Sequence, residues 1–366
     1  MHRSTGHKFG AGLAAVTLAA LLAGCGQHPT ASNTGGSGSG TPATQSGRSG
    51  QTLQIAVIPK GTSHEYWKSI HAGALKAQAD LAKQGTNINI LWKGPEKEDD
   101  RNGQVNIVET FITQHVSGMV LAPLDKTALI TPVQDAVNHK IPVVIIDSSL
   151  GGTAYSSFCA TNNEKGGELA GDDMGKLLNG KGRVVVLAYA QGSASTEARE
   201  LGFLTAIKKY PGITILSSNQ YGGPTTDTAY KTAQNLLARF GTQTDGVFAS
   251  NETNTRGMRL ALKDGNLLGK VKFVGFDAAP DLVTALKAGE IQGLVVQNPF
   301  KMGELGVTTL VAAVQGKTVP KTVDTGVALV TADNMSQPAM QEYINPPIDQ
   351  YLKLGTRHWK CRSTLE

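Results

Sequence analysis

From Leu53 onward the chain alternates short apolar runs with longer stretches whose apolar residues recur at helical spacing. Leu53-Gln54-Ile55-Ala56-Val57-Ile58 is the first run; it stops at Pro59-Lys60-Gly61, and a helical pattern follows from about His64 to Lys83. Ile88–Trp92, Gly118–Ala122 and Val143–Ile146 predict further strands, with helices over Arg101–His115 and Thr127–His139 between them. The plan then repeats. Strands are expected at Arg183–Ala188, Ile213–Ser217, Gly246–Ala249 and Val271–Gly275, and helices at Ser195–Lys209, Thr228–Phe240 and Asn254–Asp264. Such alternation predicts an α/β fold of two similar doubly wound lobes, each a parallel sheet covered by helices on both faces.

The two halves align at a nearly constant offset. Ile55-Ala56-Val57 stands 130 positions before Val185-Val186-Leu187, and Asp147 stands 130 positions before Asp277. Each aspartate closes an apolar strand. Gly118–Ala122 matches Gly246–Ser250 at an offset of 128. Agreement at three places in order points to an internal duplication.

The first fifty residues break this pattern. Arg3 and Lys8 precede a thirteen-residue apolar run, Ala11 to Ala23, that ends in Leu22-Ala23-Gly24-Cys25. A charged start, a short apolar stretch and small residues predict a secretory signal over 1–24, and the run is too short to span a bilayer. The Leu-Ala-Gly-Cys ending resembles the lipobox of bacterial lipoproteins, which implies cleavage before Cys25, acylation of Cys25 and anchoring to a membrane. Gly26 to Gly50 is Gly, Ser, Thr, Pro, Gln and Asn-rich and reads as a disordered tether with a reach of roughly 25–30 Å.

About 315 residues remain from position 50, ample for two domains. The formal charge falls from +5 to +3 on loss of Arg3 and Lys8, and no Lys/Arg-rich run suggests a nucleic-acid partner. Three cysteines make no disulfide framework: Cys159 has a small apolar, strand-like setting, Cys361 lies in a polar tail, and a bridge between them stays open. His64-Glu65 begins like a zinc-protease helix, but the position four after His64 is Lys68 and the next histidine is His71. No dinucleotide fingerprint, P-loop or nucleophile elbow appears. Gly166-Gly167 and Gly171 fit close helix packing better than a phosphate cradle. The expectation is a protein that is not an enzyme and needs no cofactor or metal.

Ligands of open parallel sheets bind beyond the carboxyl ends of the strands. Those positions hold His64-Glu65-Tyr66-Trp67, Asp147-Ser148-Ser149, Tyr189 and then Arg199, Asn251-Glu252, Asp277, and Gln297-Asn298. The candidate ligand set is His64, Tyr66, Trp67, Asp147, Ser148, Arg199, Asn251, Asp277 and Gln297. Carboxylates accept from two hydroxyls, amides both donate and accept, arginine donates in a fork, and aromatic rings cover C–H faces. The combination suits a sugar or polyol. Each residue also has a structural alternative: turns or caps for the aspartates, core anchors for Tyr66 and Trp67, a solvated helix pair for Arg199-Glu200, a helix cap for Asn251, a turn for Gln297.

At these residues the chain resembles the ribose-binding-protein-like, type I periplasmic sugar-binding proteins of ABC importers. The matching stretches are Tyr66–Ile70, Ile141–Asp147, Thr161–Gly167, Arg199–Phe203, Val247–Glu252, Val274–Asp277 and Val295–Pro299, within about 52–330. The resemblance places sugar contacts on Tyr66, Trp67, Asp147, Arg199, Asn251, Asp277 and Gln297, with His64 where Asn is frequent. It implies a three-stranded hinge near 161–162, 297–298 and 324–325. The lobes become 51–161 plus 298–324 and 162–297 plus 325–345, leaving a tail at 346–366. It further implies a monomer that serves an ABC permease and its ATPase complex, or alternatively presents its ligand to a membrane sensor. Two departures argue against ribose itself: Ser148 and Ser149 follow Asp147 where ribose binders carry Arg, and no aromatic stands near Pro224 unless Tyr221 replaces it.

Overall fold

The structure is a computed structural model that describes residues 52–353. The signal, Cys25, the tether and Cys361 lie outside the described residues. Lobe one is built on a six-stranded sheet of β1 (Leu53–Ile58), β2 (Ile88–Trp92), β3 (Gly118–Leu121), β4 (Val143–Ile146), β5 (Ser157–Ala160) and β11 (Thr322–Asp324). Its order is β2-β1-β3-β4-β5-β11, and every pairing is parallel. Lobe two uses β6 (Lys181–Ala188), β7 (Gly212–Tyr221), β8 (Gly246–Ala249), β9 (Lys272–Phe276), β10 (Gly293–Gln297) and β12 (Val327–Val330). Its order, β7-β6-β8-β9-β10-β12, repeats that of lobe one.

Both sheets are covered on both faces, which is why their strands read as continuous apolar runs. In lobe one Ile55, Val57, Val120 and Ile146 pack on one face with Trp67, Ile70 and Met302. The alternate residues Ala56, Ile58, Met119 and Ile145 pack on the other with Val108, Phe111 and Val133. Lobe two divides in the same way, with Val185, Leu187 and Val247 on one face and Val184, Val186 and Phe248 on the other.

The covering helices are α1 (Glu65–Lys83), α2 (Arg101–Thr113), α3 (Ile130–Asn138) and α9 (Pro299–Val314) in lobe one. Lobe two has α4 (Asn163–Leu177), α5 (Ala194–Ile207), α6 (Thr226–Phe240), α7 (Glu252–Asp264) and α8 (Pro280–Lys287), and α10 (Pro338–Ile344) follows β12. In each lobe one helix pair meets backbone to backbone through glycines. A Cβ at Gly73 on α1 would strike the Phe300 carbonyl of α9, and one at Gly303 the Ile70 carbonyl. Gly167 of α4 and Gly202 of α5 do the same against Arg199 and Glu164. Gly167 is thus a packing residue.

The chain passes between the sheets three times: from β5 to α4, from β10 to α9, and from β11 to β12. The third pass shows how the lobes face each other. β11 runs parallel to β5, whereas β12, one short turn later, runs antiparallel to β10. A strand that leaves one sheet toward the carboxyl ends and enters the other away from them must cross a space that both sets of carboxyl ends face. β12 is also the departure from an all-parallel expectation.

Other differences are local. Helix α3 starts at Ile130 rather than Thr127 because Asp125 Oδ1 accepts from the Thr127 and Ala128 amides and holds that segment in a turn. Cys159 is free and buried, and burial pushes its thiol up. Among the described residues no helix is long and apolar enough to cross a membrane.

Candidate functional site

The carboxyl ends of both sheets meet in one cleft. The order 2-1-3-4-5 of the first five strands in each lobe places a topological switch point beside the first strand, and the cleft lies there. Asp147 and Asp277, equivalent in the duplication, end β4 and β9 and both adopt left-handed backbone, with φ of 64° and 71°. Aspartate is among the few residues that tolerate this conformation. Here it turns the chain where the strand stops and leaves the carboxylate at the cleft.

Their partners differ. Asp147 Oδ1 accepts from Tyr66 Oη at 2.8 Å, and the same hydroxyl lies 3.2 Å from Gln297 Oε1. Asp277 Oδ1 accepts from Gln297 Nε2 at 2.8 Å, and its Oδ2 accepts from the Glu252 amide at 3.0 Å. Tyr66, Gln297 and Asp277 therefore tie the two aspartates into one network across the lobes. Burial pushes the Asp277 carboxyl up, and Asp147 adds to this against the pull of Arg199 and Gln297.

Arg199 is buried, not solvated. Its Nε donates to Asn163 Oδ1 at 2.8 Å, its Nη1 donates to the Ser250 carbonyl at 3.1 Å, and the guanidinium lies 4.1 Å over the Phe276 ring. Asn251 serves two ends: its Oδ1 accepts from the Asn254 amide as the cap of α7, and the residue borders the cleft. Trp67 sits in the lobe-one core with its indole edge at the cleft, 5.0 Å from Tyr66 in a T-shaped pair.

Eight of the nine candidates line the cleft: His64, Tyr66, Trp67, Asp147, Arg199, Asn251, Asp277 and Gln297. Ser148 lies just behind the lining. Tyr221, at the end of β7, is exposed and does not join them.

The candidate set left out five charged or hydroxylated contributors: Glu98, Lys60, Glu252, Ser193 and Ser195. Glu98 is a hub. It accepts from Trp67 Nε1 at 2.6 Å and Tyr189 Oη at 2.6 Å, and pairs with His64 Nδ1 at 2.8 Å. Burial alone would raise its carboxyl, but His64, Lys60 and Tyr189 overcome that and hold it at about 2. Burial likewise works to lower His64, and Glu98 outweighs it, so the imidazole is raised. Lys60, directly after β1, has its Nζ 2.7 Å from Asp147 Oδ2, 2.8 Å from Ser148 Oγ and 3.2 Å from Ser195 Oγ of lobe two. A cation therefore does stand beside Asp147, supplied by β1 rather than by the residue that follows the aspartate. Glu252 Oε2 accepts from the Tyr66 amide across the cleft, and burial pushes this carboxyl up to about 7. Ser193 and Ser195, at the start of α5, complete the wall. For Lys60, Glu252, Ser193 and Ser195 the signal was position: each follows a strand end or opens the helix after it.

A wider outer groove shares Tyr66, Glu252, Asp277 and Gln297 with the cleft and is walled by Tyr343 and the 346–350 segment. The described part of the C-terminal tail thus borders the approach to the site. No cluster of His, Cys, Asp or Glu among the described residues is arranged to hold a metal. His71 stacks on Trp92 instead, and burial lowers it to about 4.

A model of the periplasmic binding protein domain matches residues 55–318. The chain belongs to the periplasmic binding protein family, in its ribose-binding-like type I form. Among relatives of this family, a solute-binding protein of a carbohydrate transporter from Agrobacterium radiobacter, solved in complex with D-arabinose, is 35% identical. It superposes with a TM-score of 0.75 over 80% of this chain and 99% of its own. The D-allose-binding periplasmic protein of Escherichia coli is 28% identical over 277 residues, 73% of this chain and 86% of its own. A xylitol-binding protein of Mycolicibacterium smegmatis is 26% identical over 260 residues, 71% and 73% of the two chains. The family binds substrates for sugar transport and is not enzymatic.

Proposed function

We propose that this protein captures a small neutral sugar or polyol between its lobes and hands it to the permease of an ABC importer. The observation that carries this reading is the pair of duplicated strand-end aspartates, Asp147 and Asp277. They are offered from opposite lobes to one cleft and braced by Tyr66 and Gln297. Two carboxylates, a buried guanidinium, an amide and two aromatic rings match a ligand rich in hydroxyls and C–H faces. Relatives solved with D-arabinose and D-fucose support it.

Binding follows from lobe geometry. The lobes, 51–161 with 298–324 and 162–297 with 325–345, pivot about the three passes. A ligand that contacts both lobes at once stabilises the closed state over the open one. Closure excludes water and strengthens each hydrogen bond to the ligand. The closed surface of a monomer then docks on the permease and its ATPase complex, while acylated Cys25 and the tether hold the body near the membrane on its extracytoplasmic side. Isothermal calorimetry against pentoses, hexoses and polyols tests the binding claim. One saturable ligand per chain supports it, and no heat from any member defeats it.

A further inference from the structure

We propose that Ser193, with Lys60 beside it, is a specificity-determining residue of the cleft that donates hydrogen bonds to one oxygen of the bound sugar. This rests on the sugar-binding reading and adds to it the corner where one hydroxyl is read. Ser193 is 2% exposed, it lines the cleft, and its Oγ is buried with no hydrogen-bond partner. An unpaired buried hydroxyl is costly, so a native structure keeps few of them.

Ser193 does not earn its place as a helix cap. It stands at the N-cap position of α5, yet its side chain makes no capping bond. What it gives the fold comes from its main chain, whose carbonyl accepts from the Glu197 amide at 3.0 Å and from Thr196 Oγ1 at 3.2 Å. Alanine would keep both. The hydroxyl is thus dispensable to the helix, and the residue that carries it lines the cleft.

Lys60 brings a positive charge to the start of α5. Two of its three N–H groups go to Ser148 Oγ and Ser195 Oγ. Asp147 Oδ2, 2.7 Å away, is the third, charge-assisted partner of the ammonium. The α5 N-terminus adds a positive dipole end. The unpartnered Ser193 hydroxyl beside this positive charge favours a ligand atom that accepts. A sugar hydroxyl oxygen fits; a deoxy carbon or a protonated amine at that position does not. Hydroxyl donors of the ligand go instead to the carboxylates of Asp147 and Asp277, which also line the cleft.

The test compares wild type with Ser193→Ala and the near-isosteric Ser193→Cys, and then Lys60→Met, by calorimetry. Each is titrated with the best sugar from the panel and with its monodeoxy and amino analogues. Loss of one hydrogen bond predicts roughly tenfold weaker binding of the parent sugar by Ser193→Ala. The loss should vanish for one deoxy analogue only, while the unliganded melting temperature holds or rises. Lys60→Met should couple to the same position. Unchanged affinity in Ser193→Ala, or an equal loss with every analogue, overturns the assignment. A wild-type protein that binds no sugar of the panel overturns the sugar reading itself, a distinct result.

Discussion

Replacing Asp277 by asparagine removes a charge while keeping the shape. Asparagine tolerates the left-handed backbone at this position, whereas alanine adds strain of about 1–2 kcal/mol, so Asp277→Asn is the cleaner probe. A carboxylate offers about four acceptor sites. Gln297 Nε2 and the Glu252 amide take two, and the others are open to ligand hydroxyls. In the variant one oxygen becomes a donor, and the bonds that remain lose their charge assistance. Hydrogen bonds to charged groups contribute about 1.5–3 kcal/mol each. One bond lost and another weakened gives roughly 2–4 kcal/mol, or about 30- to 1,000-fold in affinity. Fold stability should move the other way. Burial raises the Asp277 carboxyl above its ordinary value, so the ionised form is the less favoured one in the folded protein. Its contribution is fully present below the unfolded value and is lost as pH rises through the folded one. At neutral pH the charge is a cost that asparagine relieves. Calorimetry and thermal melts of the two proteins read both arms. Unchanged affinity, or a loss of binding accompanied by a large fall in melting temperature, would refute the reasoning.

Glu252, held at about 7, and the raised His64 predict the same pH trend, with stability present at low pH and lost as pH rises through neutrality; Glu252→Gln should flatten melting temperature between pH 5 and 8. Trp67→Phe deletes the 2.6 Å donor to buried Glu98 and should cost about 1–3 kcal/mol in denaturant titrations, with a smaller effect refuting the hub role. Gly303→Ala drives a methyl into the Ile70 carbonyl and should lower stability by about 1–3 kcal/mol, read by chemical unfolding. Cys25→Ser should release the protein from membranes on fractionation without altering ligand affinity, and a variant still bound to membranes contradicts lipid anchoring.

The fold was legible where burial is two-sided. Ile55–Ile58 and Val143–Ile146 have nearly no exposure, so each appears as an unbroken apolar run that ends where the carboxyl end meets the cleft. The duplication offset was legible too, and it pointed to Asp147 and Asp277 before any geometry. What stayed hidden depends on the far lobe. Glu98 lies in a Lys-Gly-Pro-Glu-Lys-Glu stretch that reads as a solvated loop, and Tyr189 from lobe two, Trp67 from α1 and His64 just before α1 turn it into a buried hub. Lys60 looks like the polar end of a strand until Asp147 and Ser195 surround it. The short strands β11 and β12 carry too few residues for a periodicity and exist because β5 and β10 have free edges to pair.

The central claim is that the cleft between the lobes holds one small neutral polyhydroxylated ligand. Calorimetry of residues 52–353 with the N-terminal tether, titrated with neutral pentoses, hexoses and polyols, tests it most directly. One ligand should bind with a stoichiometry of one and lose its affinity in Asp147→Asn and Asp277→Asn alike. Saturable binding that survives both substitutions, or none with any sugar, would contradict the account.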